Sequence, residues 1–359
     1  MSKLVRRTLI TAGFCIVLGL VLLTAGRAFG GRPEFYINSD GIYTLSDRMR
    51  MQEYTRTAEM EKQVVDSFDQ ISIQVSDSNV HILPSEDDNY YAEYQIPLRE
   101  KDQEPVFKIT DGALTFSHQY SNYSFNYSMG IMLSDYGQEF HKGFIRLYIP
   151  QNTQLKTTTL SSSDGEITAQ NLLSDNLSIT AKYGSIVLEQ AEGKSLSLKS
   201  SDGDISYTDG HFDTVILDNK YGDTNLSGLT AETMNIKSSD GDILINDIQS
   251  GKMDITNKYG DITGNNIKAD TFLEKQSDGS CTITDFDVKE GSFRNTYGTI
   301  ELFLIGKEQD YNYNLRTKYG NIILNSLSFE EDENYAMDNR AENRIEAEAK
   351  DGSIRITTK

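Results

Sequence analysis

Tryptophan is missing from the sequence, and its 359 residues include only two cysteines, four histidines and five prolines. Cys15 falls in an apolar N-terminal run and Cys281 at an inward strand position, which excludes a disulfide framework. His81, His118, His141 and His211 are scattered and match no metal-ligand spacing. No Gly-x-Ser-x-Gly elbow and no phosphate loop occurs. Proline is absent after Pro150, as expected of a chain whose backbone donors are all taken by neighbouring strands. Basic residues are scarce too: 34 against 54 acidic ones leave a net charge of −20, which argues against nucleic acid as a partner. The expectation is a protein that is not an enzyme.

What the sequence does have is a glycine beat. Gly165, Gly184, Gly203, Gly222, Gly241, Gly260, Gly279 and Gly298 stand 19 residues apart. The residue before each alternates strictly: Asp164, Tyr183, Asp202, Tyr221, Asp240, Tyr259, Asp278, Tyr297. One position earlier Ser163, Ser201, Ser239 and Ser277 alternate with Lys182, Lys220, Lys258 and Thr296. A fixed period near 20 residues marks a stacked architecture.

Within each unit the apolar residues come in pairs spaced by two. Ile167/Ala169, Ile186/Leu188, Ile205/Tyr207 and Ile243/Ile245 follow their glycines, and Leu177/Ile179, Leu196/Leu198, Val215/Leu217 and Met253/Ile255 come later. Alternation by two is strand periodicity. A third apolar point, at Leu172, Leu229, Ile248, Ile267, Phe286 and Ile305, marks a corner. One unit cannot bury its own apolar face. Stacked at about 4.8 Å, equivalent side chains form a continuous core. The fold expected is all-β, a parallel β-solenoid of 19-residue coils, preceded by one N-terminal transmembrane helix. Each glycine is expected at a corner needing positive φ. The Asp/Tyr alternation keeps carboxylates apart, since two of them about 4.8 Å apart repel by about 3–4 kcal/mol at an effective dielectric of 20. It also sets each lysine beside an aspartate of the coil above or below.

Taken in order, residues 1–7 carry Lys3, Arg6 and Arg7 and are expected in the cytoplasm. Residues 8–28 hold an uncharged run, Thr8 to Gly26, about 29 Å long as a helix and so close to a bilayer core. The bulk of the chain is then extracytoplasmic, at the cell membrane. A cleaved signal peptide is the competing interpretation. Residues 29–66 read as a juxtamembrane stalk, with a short helix between Leu45 and Val65. Residues 67–150 read as an N-terminal β region: Ile71, Ile73, Val80 and Ile82 flank Ser76-Asp77-Ser78 as a first coil with serine in place of glycine. Phe107 to Phe116 forms either another coil or a hairpin. An aromatic insert over 118–143 puts Tyr123, Phe125 and Tyr127 on one strand face, either as a plug for the end of the stack or as a binding platform. The regular solenoid covers 151–328, an acidic loop 329–343, and closing strands 344–359. The glycine beat loosens at Gly320 and Gly352.

One file of carboxylates does not alternate. Asp204, Asp223, Asp242 and Asp261 each follow their glycine in four consecutive coils. Screening and nearby lysines account for it in the simplest case, and a Ca²⁺ ladder in the sharper one, because Ca²⁺ takes carboxylate and carbonyl oxygens. No other cofactor is expected.

The anchor, the Ile-x-Ile opening near residue 71, the strand ending at Ile149-Pro150 and the tandem Ser-Asp-Gly-x-Ile and Lys-Tyr-Gly-x-Ile units together resemble the bacterial "putative adhesin" family of β-strand repeat proteins. The resemblance covers about residues 67–359 and implies a parallel β-solenoid at the cell envelope, with no catalytic residues to carry over. The function expected is a non-catalytic, membrane-anchored adhesin or envelope scaffold, with a glycan or a protein as partner. A polysaccharide-active β-helix enzyme and a regulatory module for a membrane partner remain open beside it.

Overall fold

Residues 19 apart lie side by side. Ile186 pairs in parallel with Ile205, Ile205 with Thr224, Thr224 with Ile243 and Ile243 with Ile262. The computed structural model describes residues 12, 17–19, 22, 35–38, 41–44, 54–99, 102–119, 143–329 and 334–359. They fall into two units. The smaller contains an antiparallel hairpin of Phe35–Asn38 and Gly41–Thr44, and a knot in which Arg56 donates to the Asp102 carbonyl (2.6 Å) and the Arg99 amide to Asp102 Oδ2 (2.8 Å). The larger holds the stack.

Twelve parallel rungs can be followed. Ten turn at the glycines, one at Ser78, and one consists of Ala113–His118 and Phe144–Ile149. At about 4.8 Å per step the stack is roughly 53 Å long. Its interior is the apolar files read from the sequence: Ile167, Ile186, Ile205, Ile243, Ile262, Cys281 and Ile300 are all buried, as are Leu177, Leu196, Val215, Met234, Met253 and Phe272. Each fully buried Ile or Leu is worth about 1.5–3 kcal/mol relative to exposure. Side-chain volumes compensate between rungs. Phe272, Phe286 and Phe293 cluster at 5.1–6.0 Å between ring centres, where Gly264 and Gly291 interrupt the files.

The rungs are not laid down in sequence order at either end. Gln70–Val75 pairs in parallel with both Ala113–His118 and Gln154–Ser162, so the first rung of the chain is the second of the stack. Asn343–Asp351 pairs in parallel with both Cys281–Tyr297 and Tyr311–Tyr319, so the last rung of the chain is the last but one. The strands Ile354–Thr358, expected to close the stack, lie between Ile300–Leu304 and Ile322–Leu324. The outermost rung at each end then gains antiparallel partners. Val106–Thr110 and Tyr90–Leu98 cover one end, and Leu327–Phe329 and Asn334–Met337 the other. Open parallel edges invite pairing with other chains, and these strands occupy them.

Three sequence expectations change, and the choice left open between a coil and a hairpin resolves as both. Residues 56–65 form a strand, Arg56–Val65, beside Tyr90–Leu98, where a helix was expected; at its centre half-buried Ala58 and Met60 alternate with exposed Glu59 and Glu61. Residues 106–118 form a hairpin whose second strand is also a rung. The acidic loop contains the strand Asn334–Met337. Ile305 is 48% exposed, because the chain leaves the stack there to pass the inserted rung. The expected transmembrane segment lies largely outside the described residues, of which Ala12, Val17–Gly19 and Leu22 are helical. Among the described residues no helix is long and apolar enough to cross a membrane.

Candidate functional site: the glycine corner

The corner is built from its inside outward. Three residues before the glycine most coils carry a buried polar residue, with Ser162, Ser200, Asn219, Ser238, Asn257, Gln276 and Asn295, while Ala181 and Ala349 take the place before Gly184 and Gly352. The polar residue satisfies the backbone of the turn. The Gly165 amide donates to Ser162 Oγ (2.8 Å) and the Gly203 amide to Ser200 Oγ (3.1 Å), while the side-chain amides of Asn219 and Asn257 donate to the Gly222 and Gly260 carbonyls (2.8 and 3.1 Å). Buried backbone groups need such partners.

Positive φ is not what all the glycines share. Gly241, Gly260, Gly279, Gly298 and Gly352 have φ of 114–154°, but Gly184, Gly203 and Gly222 are not left-handed. Close stacking is common to all of them. A Cβ on Gly203 would run into the Gly184 carbonyl, and one on Gly222 into that of Gly203. The left-handed corner lies six residues on instead, at Asn171, Gln190, Asp209, Asp247, Asn266 and Asp285 with φ of 49–54°, and at Gly228. Sequence reading missed this file, although Asn, Asp and Gly are the residues that tolerate left-handed φ.

The four aspartates after the glycines stack as expected, each turned toward the next coil. The Asp223, Asp242, Asp261 and Ser280 amides donate to Oδ1 of Asp204, Asp223, Asp242 and Asp261 in turn, at 2.8–2.9 Å. The Glu166 amide makes the same bond to Asn79 Oδ1 (3.0 Å) and the Thr299 amide to Ser280 Oγ (3.3 Å). Acceptance of an N–H therefore accounts for Asp, Asn and Ser along one file. The carboxylates run along the axis and do not gather around a point. Among the described residues no group of three or more His, Cys, Asp or Glu could hold a metal ion.

Outward from the glycines is the Asp/Tyr file. Tyr183, Tyr221, Tyr259, Tyr297 and Tyr319 are each about half exposed. Lys182, Lys220, Lys258 and Lys318 place their Nζ over the neighbouring tyrosine ring, 4.8–4.9 Å from its centre. Among the described residues no ion pair joins Lys182, Lys220 or Lys258 to an aspartate, so the cation meets a ring and not the expected carboxylate. The inserted last rung preserves the alternation. Asp278 pairs with Tyr297, Tyr297 with Asp351, and Asp351 with Tyr319. The platform suggested at Tyr123, Phe125 and Tyr127 lies outside the described residues.

Two other features carry titratable groups. A cleft of about 610 Å³ along the left-handed corner is lined by Asn152, Asn171, Gln190, Glu192, Asp209 and His211, among others. Inside the stack, Glu274 occupies the apolar file between Ile255 and Phe293. It is 3% exposed, its Oε2 accepts the Arg294 amide (3.1 Å), and its buried Oε1 has no hydrogen-bond partner among the described residues. Burial pushes its pKa up to about 8, against the smaller pull of that amide bond. Burial also raises the Cys281 thiol well above its ordinary range, and Glu274 adds to the shift.

These corners define a class of all-β protein with a long, largely parallel, solenoid-like sheet. The family profile described as Toastrack DUF4097 matches residues 68–264 and 249–359, and the chain belongs to that family. A solved structure of a protein titled "putative adhesin" from Bacteroides fragilis is 16% identical, with 85% of this chain and 98% of that one covered and a TM-score of 0.38. A similarly titled protein from Parabacteroides merdae is 16% identical over 69% of this chain and 96% of its own, with a TM-score of 0.38. A "putative cell adhesion protein" from Clostridium sporogenes is 10% identical over 85% and 100%, with a TM-score of 0.20. No curated protein matches the sequence.

Proposed function

We propose that this protein is a non-catalytic adhesin of the bacterial envelope, held by residues 8–28 and presenting its stack outside the membrane. The observation that carries this reading is repetition. The same side chains recur at the same corner of ten glycine-turned coils, whereas a reaction centre needs one unique constellation. A repeated edge suits an extended partner or a surface. Ten coils tied by backbone hydrogen bonds also form a stiff rod, as a spacer or adhesin requires. The charge order supports the anchor: Lys3, Arg6 and Arg7 precede the uncharged run, which favours a cytoplasmic N-terminus.

The test is to display the full-length chain on cells lacking it and measure retention on purified envelope material and on host-cell surfaces. Retention that depends on the chain supports adhesion; equal retention with and without it removes the reading. One observation favours a second reading. Glu192, Asp209 and His211 share the 610 Å³ cleft, and paired acids on a solenoid face are what a polysaccharide-cleaving enzyme would use. Release of reducing sugar from polysaccharides by the purified chain would establish it.

A further inference from the structure

We infer that the Asp/Tyr corner binds a linear β-1,4-linked polysaccharide lying along the axis of the stack; this deepens the adhesin reading and rests on it for the ligand's location. Tyrosines recur at every second rung, about 9.6 Å apart. A β-1,4-linked chain turns each sugar over relative to the last and so repeats every two sugars. One six-membered ring with its bridging oxygen, built of bonds of about 1.5 Å, advances about 5 Å. The two repeats agree to within about 0.4 Å, a drift of about 1.6 Å over the four intervals between five tyrosines, so alternate sugars of one chain can meet successive rings.

The groups suit that ligand. Tyrosine offers a rigid, amphipathic surface at low entropic cost, and Tyr183, Tyr221, Tyr259, Tyr297 and Tyr319 each leave about half of that surface open. The aspartates of the rungs between can accept hydrogen bonds from hydroxyls of the intervening sugars. Lys182, Lys220, Lys258 and Lys318 hold their Nζ over one face of the rings of Tyr183, Tyr221, Tyr259 and Tyr319, where each can donate to ring-substituent oxygens of a sugar packed against the exposed part of the ring. No cavity is required; the binding surface is a track.

Two observations argue that the alternation serves the surface. In sequence, Tyr297 is followed by Tyr319 and then Asp351; in space Asp351 lies between them. Tandem duplication alone would not restore the alternation after such a crossover. Charge separation alone does not demand it either, because Asp204, Asp223, Asp242 and Asp261 stack without interruption two positions away.

The experiment uses the full-length chain in detergent micelles, titrated calorimetrically with β-1,4-linked N-acetylglucosamine and glucose oligomers of two, four, six and eight sugars. The expected result is affinity that rises with each added pair of sugars in at least one series. Tyr221→Ala and Tyr259→Ala should each weaken the longest oligomer about fivefold or more, Tyr221→Phe should retain it, and Ile216→Ala on another face should leave it unchanged. No binding in either series, no dependence on length, or unaltered binding by the alanine variants overturns the inference. Surface retention that persists in Tyr221→Ala/Tyr259→Ala cells would show that the adhesin reading stands while this track fails; loss of all chain-dependent retention in the parent would show the reverse order of failure.

Discussion

Gly352 rests on Gly298, although Gly320 is nearer in sequence. The Gly298 amide donates to the Asp351 carbonyl (2.9 Å), and a Cβ on Gly352 would strike the Gly298 carbonyl. The C-terminal rung is therefore a wedge inside the stack. Deleting residues 343–359 would expose two core faces, those of Cys281–Leu304 and Tyr311–Leu324, where trimming a simple repeat array exposes one. The deletion should unfold the C-terminal third, read as loss of amide-exchange protection back to about residue 281. By contrast, deleting residues 203–240, one 38-residue superperiod, brings Asp202 before Gly241 and keeps the alternation. That variant should remain folded with a single cooperative urea transition.

At Gly203 the Gly184 carbonyl occupies the space a side chain would need. Gly203→Ala should cost more than about 2 kcal/mol, because two coils must separate to admit the methyl group. Gly264→Ala is the control. Its Cβ would lie 3.3 Å from Ile245 and Ile283 side-chain carbons, a squeeze those side chains can relieve. It should change stability by less than about 1 kcal/mol. Urea melts of the two variants decide it, and equal costs would disprove the stacking argument.

Much of this was legible because a period of 19 makes every structural constraint appear many times. The files around Ile205 and Leu198 and the serine-turned rung at Ser78 could all be read as strand alternation. Permutation at the ends could not. Rung order is set by which edge strand finds a free edge, and Asn343–Asp351 carries the same inward pattern wherever it is placed. The left-handed corner was visible in principle as the Asn171, Gln190, Asp209, Gly228, Asp247, Asn266, Asp285 file, but it lacks apolar residues, so hydropathy does not reveal it. Glu274 was hidden for the opposite reason: it breaks an apolar file at one place, which periodicity treats as noise.

The hydrogen-bond ladder makes a prediction about its chemistry. Asp223 supplies an acceptor to the Asp242 amide and a charge. If acceptance is its role, Asp223→Asn should melt close to the parent, and Asp223→Ala should lose about 1 kcal/mol. Thermal melts with Ca²⁺ and with chelator separate this from a cation ladder. Acceptance alone predicts the same melting temperature in both conditions for the parent and for Asp223→Asn. A Ca²⁺-dependent rise in the parent that is lost in Asp223→Asn would assign the file to the cation.

The buried carboxyl of Glu274 fixes a pH dependence. Its pKa is about 4.5 in an unfolded chain and is raised to about 8 in the stack. Between those values the folded protein holds a proton that the unfolded chain has released, so unfolding releases a proton and stability falls as pH rises. The decline begins near pH 4.5 and levels off above about 8, where both states are ionised. Its full extent is at most several kcal/mol, because a tenfold difference in proton affinity between the two states is worth about 1.4 kcal/mol. Glu274→Gln should remove this slope while keeping an acceptor for the Arg294 amide, 3.1 Å away in the parent. Glu274→Leu should remove it and also fill the file between Ile255 and Phe293 with an apolar side chain. Melting temperatures from pH 5 to 9 give the test: the parent should lose stability steadily relative to both variants as pH rises, while any offset of Glu274→Leu at pH 5 reports the change in packing. Parallel profiles across the range would mean that the carboxyl is reached by water and titrates like an exposed one.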